Sequence, residues 1–169
     1  FGWKANQPSI RQQIAAAFAA DIGVTSSLYP LTECMPVQHE CLAAIKAPKP
    51  ELRPDMWDAL TFWTQALAVP ERRDTDKPEV QRGEALFTSS GCAMCHVPEW
   101  RTGKYPDVPV ISNQRIRPYT DLLLHDMGPD LADGRPDFKA TGNDWRTPPL
   151  WGIGLSKQVS ASTSFLHDG

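Results

Sequence analysis

Apolar residues recur at helical spacing in the first part of this chain. Ile10, Ile14, Phe18 and Ile22 stand four positions apart, after an Asn-Gln-Pro sequence and before Gly23. Side chains at this spacing share one face of an α-helix, while proline and glycine mark the places where helices start and stop. The pattern predicts an amphipathic helix that ends at Gly23.

Two further helices are predicted downstream. One is expected over residues 54–69, and the other begins at Pro78, with Val80, Leu86 and Phe87 on one face. Apolar residues at helical spacing and a proline in the first turn support both predictions. The apolar face of the first of these helices, which we interpret as core, consists of Met56, Trp57, Leu60, Trp63 and Leu67.

The other segments are irregular. Residues 24–50 are typical of a loop, and residues 97–117 are predicted to contain short extended pieces. Residues 119–127 include three consecutive leucines and are predicted to form about two helical turns. Because 16 of the 169 residues are proline, much of the chain must be loop. The predicted fold class is mainly α, with long loops rich in proline and glycine.

Composition and charge exclude several classes of protein. Hydrophobic residues make up 41% of the chain and charged residues 22%, as in ordinary globular proteins. The net charge is −3 without any basic run, which argues against nucleic-acid binding. No apolar stretch approaches the ~20 residues of a membrane span. The chain starts at Phe1 without a methionine or a signal peptide, so we expect a fragment or a processed chain.

The most informative motif is the pentad Cys92-Ala93-Met94-Cys95-His96. At this spacing two thiols form thioether bonds to a c-type haem, and the histidine that follows binds the iron. The motif therefore predicts covalent haem c, held by Cys92 and Cys95, with His96 as an iron ligand.

Two other interpretations of the cysteine pair remain open. A thioredoxin-like dithiol follows a strand in a βαβ unit, whereas the segment before Cys92 is predicted to be helical. A zinc site needs four ligands, and the other cysteines, Cys34 and Cys41, lie far upstream. Haem is therefore the favoured interpretation.

The helix before the pentad resembles that of class I cytochromes c. Those proteins carry Gly-x-x-x-(Phe/Tyr)-x-x-x-x-Cys-x-x-Cys-His, and Gly83 and Phe87 stand at the first two fixed positions. The resemblance implies that Gly83 lets another helix approach closely and that Phe87 packs near the haem edge.

Cys34 and Cys41 could close a short loop as a disulfide, with two unpaired thiols as the alternative. Disulfides persist in oxidising compartments. Because bacteria attach haem c outside the cytoplasm, we expect a periplasmic location.

The second axial ligand of the iron has several candidates. Met127 and His125 lie two positions apart, so on a helix they would face in different directions and at most one would reach the iron. His39 and His167 are less favoured. Each histidine could instead be a structural or surface residue. A haem bound by His96 alone would be open to peroxide.

Five motifs together resemble the bacterial di-haem oxidoreductase, putative peroxidase family, which also carries the older label "thiol oxidoreductase". They lie at residues 1–5, 92–98, 118–128, 146–152 and 165–169. The last two also resemble segments of bacterial di-haem cytochrome c peroxidases. That resemblance implies two cytochrome c-like domains, each with its own pentad. The carboxy-terminal haem takes electrons from a small donor protein and passes them to the peroxide site.

The resemblance also implies roles for individual residues. With one pentad, the chain looks like the carboxy-terminal haem domain, and the distal ligand is expected beyond residue 169 rather than at Met127. Thr147 and Pro149 match positions whose carbonyls hold calcium, although a rigid turn is the favoured role. His167 matches a histidine beside the haem. Trp3 could relay electrons between haems or anchor the chain, and anchoring is favoured.

These expectations combine into one functional prediction. Residues 1–70 form a helical segment with the disulfide-closable loop, packed on a cytochrome c-like haem domain at 71–169. The domain transfers electrons to a second haem domain of the same protein. One alternative is an open haem that reduces peroxide, with His125 or Asp126 as acid or base. Others are a stand-alone electron carrier and a chain without haem in which Cys92 pairs with Cys95.

Overall fold

The computed structural model describes residues 1–31, 34–44 and 47–160. Its α-helices in that part are α1 (Ile10–Ile22), α2 (His39–Ala43), α3 (Pro54–Gln65), α4 (Pro78–Ser89) and α5 (Ser156–Val159). Its strands are β1 (Trp100–Arg101), β2 (Arg115–Ile116), β3 (Leu124–Asp126) and β4 (Asp144–Arg146). Two antiparallel pairs form, β1 with β2 and β3 with β4.

The chain divides into two compact units. The first contains residue 1 and residues 7–67, and the second contains residues 2–6 and 68–169. No helix among the described residues is long and apolar enough to cross a membrane.

The first unit is built on the packing of α1 against α3. Ser9 caps α1 by accepting a hydrogen bond from the Gln12 N–H, and Gly23 ends the helix with a left-handed φ of 70°. Ala15, Leu52 and Trp57 form the buried core. The indole N–H of Trp57 donates to the Arg11 carbonyl at 2.8 Å, so this buried polar group is satisfied. The helix predicted over 54–69 ends earlier, at Gln65.

The predicted loop in the first unit contains a short helix, α2. Cys41 lies in α2 and Cys34 precedes it, with their Cα atoms 5.8 Å apart and their sulfur atoms at bonding distance. This separation is ordinary for a disulfide.

The second unit holds α4, the pentad and both strand pairs. The predicted extended pieces in 97–117 are confirmed as β1 and β2. Between the strands the chain turns through single 3-10 turns, as at Pro109–Ile111 and Pro129–Leu131. The predicted mainly α class is therefore confirmed only in part, because this unit is mixed.

The helix predicted over 119–127 is wrong. Tyr119 and Leu122 have φ values of 53° and 62°, and a right-handed helix cannot pass through left-handed residues. The Thr120 hydroxyl accepts a hydrogen bond from the Leu122 N–H and closes a tight turn instead. The chain then runs extended as β3 and pairs with β4.

Candidate functional site

The pentad begins where α4 ends. Gly91 takes a left-handed φ of 84°, which stops the helix, and Cys92–Met94 form a single 3-10 turn. Cys92 is exposed and Cys95 is half-buried, and both are free thiols. Met94, between the two thiols, is 81% exposed, so its side chain takes no part in the protein core.

His96 has a fixed ring orientation. Its Nδ1 lies 2.8 Å from the backbone carbonyl oxygen of Tyr119. A carbonyl can only accept, so Nδ1 carries the proton and Nε2 keeps its lone pair. Metal-binding histidines are commonly oriented in this way, with one ring nitrogen held by the backbone and the other directed at the metal.

Phe87 packs at the edge of this histidine. Its ring centroid lies 6.2 Å from that of His96 and 5.6 Å from that of Tyr119, in edge-on arrangements. The expectation for Gly83 is not met, because a Cβ built there would find nothing within 4 Å beyond its chain neighbours and the backbone of its own helix. No helix therefore approaches Gly83 in the described part of the chain.

A cavity lies beside the pentad, and together with the open solvent at its mouth this space measures about 380 Å3. Its lining residues come from the pentad, from the β3 segment and from the β4 segment. They are Cys95, His96, His125, Met127, Trp145, Arg146, Thr147 and Pro148.

His125 and Met127 border this cavity together, contrary to the expectation that they would face in different directions. The reason is the extended backbone, since residues two apart on a strand share one face. Trp145 lies opposite His125 in the β3–β4 register and borders the same cavity. The two favoured iron-ligand candidates, His125 and Met127, are therefore neighbours at the cavity.

The carboxylate partner of His125 is Asp121, which the sequence analysis missed. His125 Nε2 lies 2.8 Å from Asp121 Oδ2, and Asp121 Oδ1 accepts from the Leu123 N–H. Partial burial acts to raise the pKa of Asp121, but these hydrogen bonds outweigh it and hold the pKa below its usual value. Asp126, the predicted acid or base, is exposed and accepts from the Gly128 N–H instead.

Cys95, Asp121 and His125 also bring three potential metal-binding atoms within 4.8 Å of one another. Thiolate, carboxylate and imidazole are all zinc ligands. The trio leaves out Cys92 and His96, and haem attachment would use the Cys95 sulfur. It is therefore a different arrangement from the site that the pentad predicts.

Thr147 and Pro149 are the residues matched to calcium ligands, and only Thr147 has a described contact that bears on its role. Thr147 is buried, and its carbonyl accepts the Thr120 hydroxyl at 2.6 Å, while Pro149 is exposed. This contact favours the rigid-turn interpretation, and calcium binding stays a prediction. The Trp3 side chain is 62% exposed, and its carbonyl accepts the Arg146 N–H at 2.8 Å.

Two predicted residues lie elsewhere. His167 is outside the described residues. His39 begins α2 in the first unit and does not border the cavity.

The residues of the second unit fit a covalently attached haem. Two free thiols stand at the required spacing, and the Nε2 lone pair of His96 is available. The nearby chain also leaves large apolar side chains exposed, including Met94, Leu122 and Leu123. A porphyrin could cover such apolar surface.

Comparison with known proteins gives a family for the whole chain. The sequence profile described as "Di-haem oxidoreductase, putative peroxidase" matches residues 1–169. No curated protein and no solved structure matches the chain. The family implies haem and oxidoreductase chemistry, in agreement with the residues around the pentad. The chain belongs to the di-haem oxidoreductase, putative peroxidase family.

Proposed function

We propose that this chain carries a c-type haem that transfers electrons to a second haem site of the same enzyme. The orientation of His96 is the observation that carries the proposal. Its Nδ1 is held by the Tyr119 carbonyl at 2.8 Å, so the orientation of the imidazole ring does not depend on bound haem. A histidine fixed in this way, directly after two free thiols, is what haem c attachment needs.

Each residue of the pentad has a role in the proposal. Cys92 and Cys95 form the two thioether bonds, and His96 Nε2 binds the iron. Phe87 supports the ring of His96 through its edge-on contact. When bound, the haem supplies a one-electron couple whose potential depends on its axial ligands and on exclusion of water.

Met127 and His125 compete for the opposite axial position within the described residues. Because Asp121 holds Nε2 of His125, His125 would have to bind iron through Nδ1 or give up this bond, so the geometry favours Met127 of the two. The family resemblance instead favours a ligand beyond residue 169. Methionine would give a higher potential than histidine.

The same proposal includes a location and partners. A periplasmic location agrees with bacterial haem c attachment and with the sulfur atoms of Cys34 and Cys41 at bonding distance. The partners are a second haem domain of the same protein and a small redox donor protein.

Reduction of peroxide at this site is the second candidate function. His125 borders the cavity and is bound to Asp121, which is how a general base is commonly oriented by a carboxylate. This candidate requires an open iron position beside His125. Electron transfer and peroxide reduction therefore differ in the coordination of the ferric iron.

The test of haem attachment is production in a host with haem c maturation. Haem should stay bound after denaturation, and Cys92→Ala with Cys95→Ala should abolish this covalent haem. Cys34→Ala with Cys41→Ala is the matched control, because it also replaces two cysteines, lies outside the pentad and should retain the haem. Covalent haem in the Cys92→Ala, Cys95→Ala protein would contradict the proposal.

A ferric absorption spectrum separates the two functions. Six-coordinate, low-spin iron that does not react with peroxide supports electron transfer. A far-red charge-transfer band that disappears in Met127→Leu would assign methionine as the ligand. High-spin iron that consumes peroxide would support the second candidate. In that case His125→Gln should lower the rate of peroxide consumption.

A further inference from the structure

One face of the β1–β2 strand pair carries three arginines. Arg101 in β1 lies directly opposite Arg115 in β2, and residues opposite each other across two strands share one face. Arg117 belongs to the same face, because Arg115 and Arg117 both donate through Nε to Glu99 Oε2, at 2.8 and 3.1 Å. We call Arg101, Arg115 and Arg117 the arginine face.

The charge of the arginine face is unbalanced. The hydrogen bond from Arg117 and the charge of Arg115 hold the pKa of Glu99 below its usual value, so this carboxylate stays negative. Among the described residues, Glu99 is the one carboxylate within 4.0 Å of the arginine face, and Arg101 has none within that distance. Three positive charges therefore accompany one negative charge, in a chain whose net charge is −3.

The pairing of Arg101 with Arg115 is unfavourable in the chain by itself. Like charges directly opposite each other on two strands destabilise the pair. Both residues are exposed, so packing in a core does not explain why two arginines stand at these positions. Each guanidinium has five N–H donors, and Arg115 uses its Nε for Glu99, so donors remain for the carboxylates of a partner.

The opposite face of the strand pair is attached to the turn that orients His96. Trp100 lies opposite Ile116, one position from the arginines along each strand, and therefore on the other face. Its indole N–H donates to the Thr120 carbonyl at 2.7 Å. The preceding carbonyl, that of Tyr119, holds His96 Nδ1 at 2.8 Å. A partner on the arginine face would therefore be connected to the proposed iron ligand through one strand pair and one turn.

We propose that the arginine face docks a negatively charged surface of the small redox protein that reduces the haem. The inference deepens the proposed function and rests on it. Opposite charges on the two surfaces guide their encounter and fix their orientation, and carboxylates of the partner relieve the repulsion between Arg101 and Arg115. One electron then leaves the reduced centre of the partner and converts ferric iron to ferrous iron, with no bond made or broken.

The composition of the arginine face favours a protein over a membrane as its partner. Polybasic segments that bind anionic membranes contain clusters of about 4–8 lysines and arginines. The arginine face has three arginines with Glu99 among them, and mixed charges of this kind are typical of an oriented contact between two proteins.

The test uses the haem-loaded full chain and a plant-type [2Fe–2S] ferredoxin as an acidic one-electron probe. Calorimetry with oxidised ferredoxin measures binding without electron transfer, and rapid mixing with reduced ferredoxin measures reduction of the haem. Arg101→Gln with Arg115→Gln removes the unfavourable pair. Lys139→Gln with Lys157→Gln is the matched control, because it also removes two exposed positive charges from the second unit.

At low ionic strength we expect ferredoxin to bind the wild type and to reduce its haem, and added salt should weaken both effects. The Arg101→Gln, Arg115→Gln protein should lose about tenfold in affinity and in rate constant, while the control stays near the wild type. Its free energy of unfolding should be no lower than that of the wild type, because the like-charge pair is gone. Equal losses in the variant and the control, or no loss in the variant, would overturn the proposal.

Measurements on the wild type need no variant. Calorimetry with mitochondrial cytochrome c, a basic carrier, should show weaker binding than with ferredoxin, and the reverse order overturns the proposal. Binding to vesicles of anionic phospholipid without binding to ferredoxin also overturns it, in favour of a membrane surface. Failure of the proposed function is distinct, because it would appear as the absence of covalent haem in the wild type.

Discussion

The ammonium nitrogen of Lys4 lies 3.8 Å from the centre of the Trp145 ring. It also donates to the carbonyls of Thr141 and Gly142 at 3.2 and 3.1 Å, and it pairs with Asp133 at 3.2 Å. Lys4 is only 7% exposed. These contacts explain why residues 2–6 belong to the second unit. They also hold the ring of Trp145, which borders the cavity beside His96.

Replacement of Lys4 by methionine should destabilise the second unit. The change keeps the aliphatic bulk but removes the cation–π contact, the two hydrogen bonds to carbonyls and the ion pair with Asp133, at a cost of about 1–3 kcal/mol. The measurement is the free energy of unfolding from denaturant titration. Lys139→Met, at an exposed position in the same unit, is the control and should cost far less. Equal losses in both variants would show that the Lys4 contacts contribute no stability.

The parts of the fold that were predictable from sequence depend on local spacing. The pentad and the starts of α1, α3 and α4 follow from neighbouring residues, since proline, glycine and apolar periodicity act within one or two helical turns. The helix prediction for residues 119–127 was wrong because it, too, used local spacing alone. Its leucines fit a helix locally, but the left-handed residues and the pairing with β4 depend on a strand some 20 residues away.

The cavity was less predictable, because its walls come from distant parts of the sequence. Cys95 and His96 meet the β3 and β4 segments only after the β3–β4 pair has formed. The pairing of Asp121 with His125 could have been suspected from their four-residue spacing, although the turn that actually joins them is not helical. Nothing local in the sequence indicates that Trp145 borders the same cavity.

The pair of Asp121 and His125 should make stability sensitive to low pH. The pKa of Asp121 is lowered in the folded chain, so the carboxylate contributes stability above its unfolded pKa of ~4. That contribution is lost as the pH falls through the folded pKa. The difference in unfolding free energy between wild type and Asp121→Asn should therefore be largest near neutral pH and shrink below pH ~4.

The measurement is chemical denaturation across that pH range. Asp126→Asn is the control, since Asp126 is exposed and its carboxylate accepts from the N–H of the neighbouring Gly128. A difference between wild type and Asp121→Asn that stays constant down to pH ~2 would contradict the assignment.

Loss of the Cys34–Cys41 bond should destabilise the first unit. The loop that it closes spans a sequence separation of seven residues, for which the chain-entropy estimate gives about 2–3 kcal/mol. Double replacement by alanine should lower the free energy of unfolding by about that amount. A reducing agent should have the same effect on the wild type and none on the double variant. Reactive thiols at both Cys34 and Cys41 in the untreated chain would contradict the bond.

Thr120 connects the segments that support His96, and its hydroxyl should be essential to the site. The side chain is fully buried, donates to the Thr147 carbonyl at 2.6 Å and accepts from the Leu122 N–H at 2.9 Å. The Thr120 carbonyl accepts the indole N–H of Trp100 at 2.7 Å. Because Thr120 directly follows the carbonyl that orients His96, movement of this turn would release the imidazole.

Thr120→Val should therefore destabilise the second unit by about 1–3 kcal/mol, since it leaves buried donors and acceptors without partners at nearly unchanged volume. It should also reduce the fraction of chains that carry covalent haem when the time allowed for haem attachment is short. Thr120→Ser is the matched control: it retains the hydroxyl, so its haem content should stay close to that of the wild type. If serine, which keeps the hydroxyl, lowered the haem content as much as valine does, the hydroxyl would not be what the site requires, and the proposed support of His96 through this turn would be wrong.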